Sequence, residues 1–401
     1  MIYRDFLGEH LSLLGFGAMR LPILDGGGID HKTAEQMIDL AIQNGVNYFD
    51  TAYPYHEGKS EIVLGKILSK YPRESFYLAD KFPGHQLMKC YDPAAIFEEQ
   101  LEKCGVEYFD FYLLHNVYER SMGVYTDPEI GILKYFIEQK KNGRIKHLGF
   151  STHALTDGLR EFLDIAGEHM EFCQIQMNYL DNTLQDAKGK YDLLKERNIP
   201  VIIMEPVRGG KLANLSGDNA EKLKALRPDA SFASYAFRWL FDYDNIAVIL
   251  SGMSNMEHVA DNIATFNAYE KLSEVERTTL EKIAFEMLNS VPCTGCRYCV
   301  DGCPMGLEIP LLITTLNELR VSKSMNASMK VEFLPDDKKP SACIGCGACS
   351  AICPQSIDVP NILAELSEIV SAMPKWADVS REREKVAEKM KAAKKSTRPT
   401  I

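Results

Sequence analysis

No apolar run in this 401-residue chain reaches the ~18 residues that a membrane span needs, so no membrane association is expected. The opening residues, MIYRDFLGEH, lack the apolar core of a signal peptide, which makes a cytoplasmic protein the expectation. Positive charge is short as well. Lys and Arg number 45 against 56 Asp and Glu, a net charge of −11, so no nucleic-acid partner is expected. No Walker-type phosphate loop, His-Glu-x-x-His zinc motif or Gly-x-Ser-x-Gly nucleophile elbow occurs. Gly15-Phe-Gly17-Ala-Met-Arg20 offers only part of a dinucleotide fingerprint, because Arg20 stands where close helix–strand packing needs a third glycine.

What is present is globular. A composition 46% hydrophobic and 25% charged excludes a disordered chain. At roughly 150 residues per domain, the length suits two or three domains, or one large barrel with an appendage. From Lys375 onward nine Lys/Arg face four Asp/Glu, so this tail carries +5 and the rest −16. The composition shifts place a first domain over 1–285, a second over 286–372 and a charged tail over 373–401.

The first domain alternates short apolar runs with longer amphipathic ones. Strands are predicted at Leu13–Ala18, Asn47–Asp50, Phe76–Lys81, Phe109–His115, Lys146–Ser151, Cys173–Met177, Pro200–Met204 and Ala247–Ser251. Helical spacing falls between them, as in Ala34, Met37, Ile38 and Ala41 ahead of Gly45. Eight strands alternating with about eight helices is the (β/α)₈ barrel pattern, with a doubly wound open sheet as the alternative. Asp50, Lys81, His115 and Ser151 each close a predicted strand, and strand C-termini line the active face of such a barrel.

Eight of the eleven cysteines lie between Cys293 and Cys353. They form two runs offset by 50 residues: Cys293, Cys296, Cys299, Cys303-Pro304 and Cys343, Cys346, Cys349, Cys353-Pro354. Each run reads C-x₂-C-x₂-C-x₃-C-P, the spacing of cubane iron–sulfur ligands. Three thiolates on one tight loop reach three irons, and in two-cluster proteins the fourth cysteine of a run serves the other cube. Zinc, the alternative, uses paired C-x₂-C knuckles and needs neither the third and fourth cysteines nor the proline. Two [4Fe–4S] clusters are therefore expected, one on Cys293, Cys296, Cys299 and Cys353, the other on Cys343, Cys346, Cys349 and Cys303. The helix-like run Ile309–Leu319 between the repeats favours a mostly helical dicluster ferredoxin-type domain over a compact sandwich. Cys90, Cys104 and Cys173 read as small buried hydrophobes.

Asp50-Thr51-Ala52-Tyr53-Pro54-Tyr55, then Gly58-Lys59-Ser60-Glu61, Asp80-Lys81 and Leu113-Leu114-His115, resembles the aldo-keto reductase family from Leu13 to about Phe266. The resemblance implies a (β/α)₈ barrel that reduces a small carbonyl substrate with NAD or NADP as cofactor, without metal or flavin. It implies a catalytic tetrad of Asp50, Tyr55, Lys81 and His115, with Tyr53 excluded by the family spacing. It further implies cofactor contacts from Ser151, Thr152 (where the family has Asn), Gln174, Met204 (where an aromatic residue is usual), Gly252, Ser254, His258 and Asn262. A basic residue is absent at Gly252, and His258 stands in place of an arginine, so a preference for NADPH is unsupported.

The tetrad makes physical sense. Hydride delivery to a carbonyl builds an alkoxide that an acid must protonate. A phenol with pKa ~10 is a poor donor at neutral pH. An ammonium at ~4 Å with an effective dielectric of ~20 contributes about 4 kcal/mol, which would lower that pKa by roughly three units. Lys81 would supply this charge, Asp50 would hold Lys81, and His115 would orient the carbonyl. The expected function is thus carbonyl reduction, fused to an iron–sulfur module that exchanges electrons with a partner protein. The alternative is an electron-transfer or redox-sensing protein whose barrel only binds.

Overall fold

The structure, a computed structural model, describes residues 1–385 apart from 88–89, 288–290, 292, 294, 322, 354 and 383–384. The predicted tail beyond 385 lies outside the described residues. The chain divides into two compact units, Met1–Glu281 and Lys282–Ile401.

In the first unit the eight predicted strands form within two residues of their expected bounds. Two short strands precede them, β1 (Tyr3–Phe6) and β2 (Glu9–Ser12), followed by β3 (Leu14–Gly17), β4 (Tyr48–Asp50), β5 (Tyr77–Phe82) and β6 (Phe109–Val117). Then come β7 (Ile145–Thr152), β8 (Cys173–Gln176), β9 (Val201–Met204) and β10 (Ile246–Ser251). Strands β3 to β10 close into a parallel barrel in chain order, with β10 pairing both β9 and β3. That closure removes the open-sheet alternative. The strands are buried on both faces, as parallel barrel strands must be, which is why they read as continuous apolar runs.

β1 and β2 form an antiparallel hairpin. Its Phe6 and Leu11 join Tyr48, Phe111, Phe172 and Val248 in one buried cluster, filling the end of the barrel away from the strand C-termini. Phe6 stands 6.0 Å from the Phe111 ring and 6.4 Å from that of Phe172. Each such ring removed from water contributes about 2–3 kcal/mol. The opposite end is thus left for chemistry.

The second unit repeats itself in backbone as well as sequence. Short helices Tyr298–Asp301 and Ala348–Ala351, and long ones Ile309–Val321 and Val359–Ser371, are each 50 residues apart. Positive φ recurs at the same places: Gly295 (69°) and Gly345 (68°), then Arg297 (66°) and Gly347 (74°). A left-handed arginine costs about 1 kcal/mol, so the loop geometry overrides residue preference there. Pro310 and Pro360 occupy the first helical turn, where no N–H is needed. Leu312, Leu316, Leu363 and Leu366 pack with Cys299 and Cys349 in a single helical core.

The start of the charged tail, residues 376–382, is helical. It is not simply solvated: Trp376 is buried, and its N–H donates to Glu332 at 2.9 Å. Of the three scattered cysteines, Cys104 and Cys173 are buried as expected, whereas Cys90 is exposed.

Candidate active site

β4 ends on Asp50, β5 carries Lys81 beside Leu113 of β6, and His115 follows two residues further on the same face of β6. Three strands thereby deliver three polar groups to one end of the barrel. Lys81 is fully buried; its Nζ donates to Asp50 Oδ1 at 2.5 Å and to the Thr51 carbonyl at 2.6 Å. Tyr55 sits on the turn after β4. That turn bends through left-handed His56 and Glu57, and His56 Nε2 pins it by accepting from the Leu21 N–H at 3.2 Å. Lys81 Nζ lies 5.1 Å from the centre of the Tyr55 ring, and the His115 ring meets that ring edge-on at 5.8 Å. Tyr53 points elsewhere. Its hydroxyl donates to Glu99 at 3.2 Å, with Lys103 over its ring at 4.3 Å.

Burial works against the Lys81 ammonium, but the Asp50 carboxylate and Tyr55 oppose it and its pKa ends above the ordinary lysine value. Lys81 is charged. The sequence argument expected this charge to lower the Tyr55 phenol. Instead burial prevails, and Tyr55 lies above its ordinary value despite the opposing pull of Lys81. Burial is the largest cause, and Asp50, paired with the ammonium, adds a smaller upward push that offsets part of the Lys81 pull. His115 is held well below its usual value, first by burial and then by His85, Lys81 and His153. It is neutral at pH 7, and its Nδ1 is buried without a partner.

Of the residues expected to hold cofactor, Ser151 on β7 and Gln174 on β8 are register partners and both are buried. Gln174 Oε1 has no hydrogen-bond partner, while Ser151 Oγ accepts from the Asn116 N–H at 2.8 Å and keeps its proton to donate. Thr152 is turned inward. Its Oγ1 donates to the Val117 carbonyl at 2.6 Å and accepts from the Ala154 N–H at 2.9 Å, so its hydroxyl is occupied. Met204 closes β9 beside Gln176. Gly252, Ser254 and His258 are exposed where β10 leads into the helix Met256–Ala268, whose first turn Asn255 caps. Asn262 is buried and donates to Ser251 Oγ at 2.8 Å.

The sequence argument missed neighbours that only the fold brings in. Arg20 lies against Gly252, its stem 3.2–3.4 Å from where a Cβ at 252 would stand, and its guanidinium faces Glu205 at 3.5 Å. The His85 ring stacks obliquely on His115 at 4.3 Å. The one local cue was Arg20 itself, ending the incomplete glycine motif.

In the second unit, one cavity of about 350 Å³ is lined by Cys293, Cys296, Cys299 and Cys353. Another of about 320 Å³ is lined by Cys343, Cys346, Cys349 and Cys303. These are the crossed sets expected from the spacing. Among the described residues no three Cys, His, Asp or Glu are gathered as ligands of a metal ion. The thiols line wider hollows instead, which suits a four-iron cube held at its corners. In both repeats the second cysteine is exposed and the third buried. The Leu307 N–H donates to Cys303 Sγ at 3.5 Å, as amides around cluster sulfurs do.

A barrel with this polar constellation at its strand C-termini is that of an oxidoreductase in the aldo/keto reductase family, whose model matches residues 13–284, and the chain belongs to that family. Residues 292–357 match a 4Fe-4S dicluster domain. Among named relatives, the chain is 26% identical over 323 residues to the NADH-specific methylglyoxal reductase of Escherichia coli K12, spanning 68% of this chain and 95% of that one. It is 31% identical over 326 residues to probable aldo-keto reductase 1 of Glycine max, spanning 73% and 89%. A solved aldo-keto reductase from Bacillus halodurans, in its holo form, aligns with a TM-score of 0.56 at 27% identity, covering 71% of this chain and 96% of that one.

Proposed function

We propose that the barrel reduces a small aldehyde, ketone or quinone to its alcohol, with NADH or NADPH as hydride donor and Tyr55 as the acid. The observation that carries this reading is the fully buried Lys81–Asp50 pair at 2.5 Å, with Tyr55 and His115 against it. A buried ion pair of this kind is weak support for stability and better explained by chemistry. Gln174 Oε1, an orphaned acceptor beside the Ser151 hydroxyl, fits the amide of a nicotinamide ring. The nicotinamide supplies the hydride when bound.

The protein's own groups do the rest. The Tyr55 O–H gives its proton to the carbonyl oxygen as negative charge builds there, and the phenolate left behind faces the Lys81 ammonium. Asp50 keeps that ammonium in place. Neutral His115 offers an N–H to the same oxygen rather than a second acidic proton. Solvent then restores the Tyr55 proton. Ser151 and Gln174 hold the ring of the cofactor, and the exposed start of the helix Met256–Ala268 presents N–H groups to its phosphates. The relative's name makes NADH and small 2-oxoaldehydes the first pair to assay.

Two [4Fe–4S] clusters on the crossed cysteine sets complete the reading, and each supplies one-electron transfer. A hydride moves two electrons at once, so the clusters are assigned to an external electron-transfer protein rather than to the carbonyl step. Steady-state NADH and NADPH oxidation against a panel of aldehydes and quinones tests the reading. Absence of turnover by folded, cluster-replete protein would refute it.

A further inference from the structure

Behind Lys81, on the helix side of β5, lies a second polar cluster that the carbonyl chemistry does not use. Glu61, at the start of the helix Ser60–Leu68, and Asp80 of β5 are both fully buried, and Glu61 Oε1 has no hydrogen-bond donor among the described residues. Asp80 Oδ1 accepts the Lys81 N–H at 2.8 Å, and Cys104 Sγ points at Asp80 Oδ2 at 3.8 Å. Lys103 Nζ, on the helix Pro93–Cys104, donates to Glu61 Oε2 at 3.1 Å. Gln100, from the same helix, donates to the Lys81 carbonyl at 3.1 Å and accepts from the hydroxyl of Tyr112 on β6. The two helices close over this cluster at Gly65, where a Cβ would collide with the Cys104 carbonyl oxygen.

We propose that Glu61 and Asp80 share a single proton at neutral pH and, as a hydrogen-bonded acid–carboxylate pair, fix the main chain that carries Lys81.

Charge counting requires it. Among the described residues Lys103 is the one cation paired with these carboxylates, its second partner Glu99 lies at the half-exposed edge, and Tyr53 faces that edge. Lys81 directs its ammonium to the other face of the strand, onto Asp50. Two carboxylates at 0% exposure against one ammonium carry an uncompensated buried charge unless one proton remains. Glu61 Oε1 is a buried acceptor without a donor among the described residues, and a proton held between the two carboxyl groups satisfies it. Cys104 and Tyr112 add no charge, since burial pushes both groups well above their ordinary values. Burial, then Glu61, raises Asp80 in the same direction.

Asp80 and Glu61 are positioning residues. The linkage has a definite sign: a carboxyl raised in the folded state stabilises most at low pH, and that contribution fades as pH climbs from about 4 through the folded value. Asp80→Asn replaces the shared proton by an amide N–H, so it keeps both hydrogen bonds and removes the linkage.

The test is infrared spectroscopy of the full-length, cluster-loaded protein. The carbonyl stretch of a protonated carboxyl should persist at pH 7, and both Asp80→Asn and Glu61→Gln should abolish it. No such absorption at neutral pH, or one surviving both substitutions, overturns the shared proton. Loss of thermal stability between about pH 5 and about pH 9 should be smaller in Asp80→Asn than in the wild type. The positioning half rests on the role assigned to Lys81. Asp80→Ala should lower kcat about tenfold at unchanged cofactor KM, with Asp80→Asn restoring it; wild-type kcat in Asp80→Ala overturns positioning. Should Asp80→Ala fail to fold, the infrared signature and Asp80→Asn still decide, and that signature stands or falls independently of the carbonyl reading.

Discussion

In the barrel, Asp50, Lys81 and His115 come from three different strands, and closure of the sheet sets them against Tyr55. In the C-terminal unit, three of the four thiols lining each cavity come from one loop of seven residues, and only the fourth crosses from the other repeat. The barrel site is finished before any ligand arrives: Lys81 already holds Asp50, inside a core packed from strand and helix alone. The C-terminal unit has its reactive groups in its core, since Cys299 and Cys349 pack among the leucines around two hollows. One region is therefore robust to loss of its ligand and sensitive to loss of single atoms at the site. The other, with its thiols in its core, is expected to lose stability when the clusters proposed for those hollows are removed.

Tyr55→Phe sharpens that contrast most. It removes one oxygen, so kcat should fall by about 10²–10⁴ while cofactor affinity, thermal melting and the cluster spectra stay unchanged. Retained turnover here with loss in Tyr53→Phe would move the acid to the wrong tyrosine.

Cys303→Ser should act on the opposite side. It should disturb the cluster held by Cys343, Cys346 and Cys349, and Cys353→Ser the cluster held by Cys293, Cys296 and Cys299, with the barrel still folded. Iron content and EPR, each against a Cys296→Ser control, read this directly. If Cys303→Ser and Cys296→Ser damage the same cluster, ligation stays within repeats.

A smaller effect belongs to Gln174→Ala. Losing one buried hydrogen bond of about 1–1.5 kcal/mol should weaken nicotinamide binding roughly tenfold, measured by fluorescence titration, with little change in kcat. Smallest is the choice between cofactors. Gly252 brings no charge and Arg20 faces Glu205, so NADH should serve at least as well as NADPH in kcat/KM. A hundredfold preference for NADPH, about 2.8 kcal/mol, would mean that Arg20 leaves Glu205 for the extra phosphate.

The same contrast governs what the sequence discloses. Cysteine spacing is local, so the two sets of cysteines that line the cavities, each three from one repeat plus a fourth from the other, were legible from it. The barrel strands were legible because burial on both faces leaves unbroken apolar runs. The hairpin before them was not, because its turn is Leu7-Gly8, with Leu7 at φ 52°, rather than the Asn-Gly or Asp-Gly that such turns favour. The helix Phe232–Leu240 was missed although its sequence carries a helical period and Ser231 caps its first turn. Within the site, motif order singled out four residues, Asp50, Tyr55, Lys81 and His115, that the fold brings together. The approach of Arg20 to Gly252, and of His85 to His115, arises from barrel closure and loop return, which no spacing rule contains. The sign of the Tyr55 shift was misjudged because burial and Asp50 were left out of the balance.

The central claim is that the barrel alone carries two-electron carbonyl chemistry beside a separate one-electron unit. Anaerobic turnover of cluster-replete protein with NADH or NADPH and an aldehyde, followed by product analysis and EPR, tests it most directly. The account predicts one alcohol formed per cofactor oxidised, clusters unchanged by NADH or NADPH and reduced by dithionite. Folded, cluster-replete protein that oxidises neither cofactor with any aldehyde or quinone, or that reduces its clusters with NADH at the expense of alcohol, would contradict it.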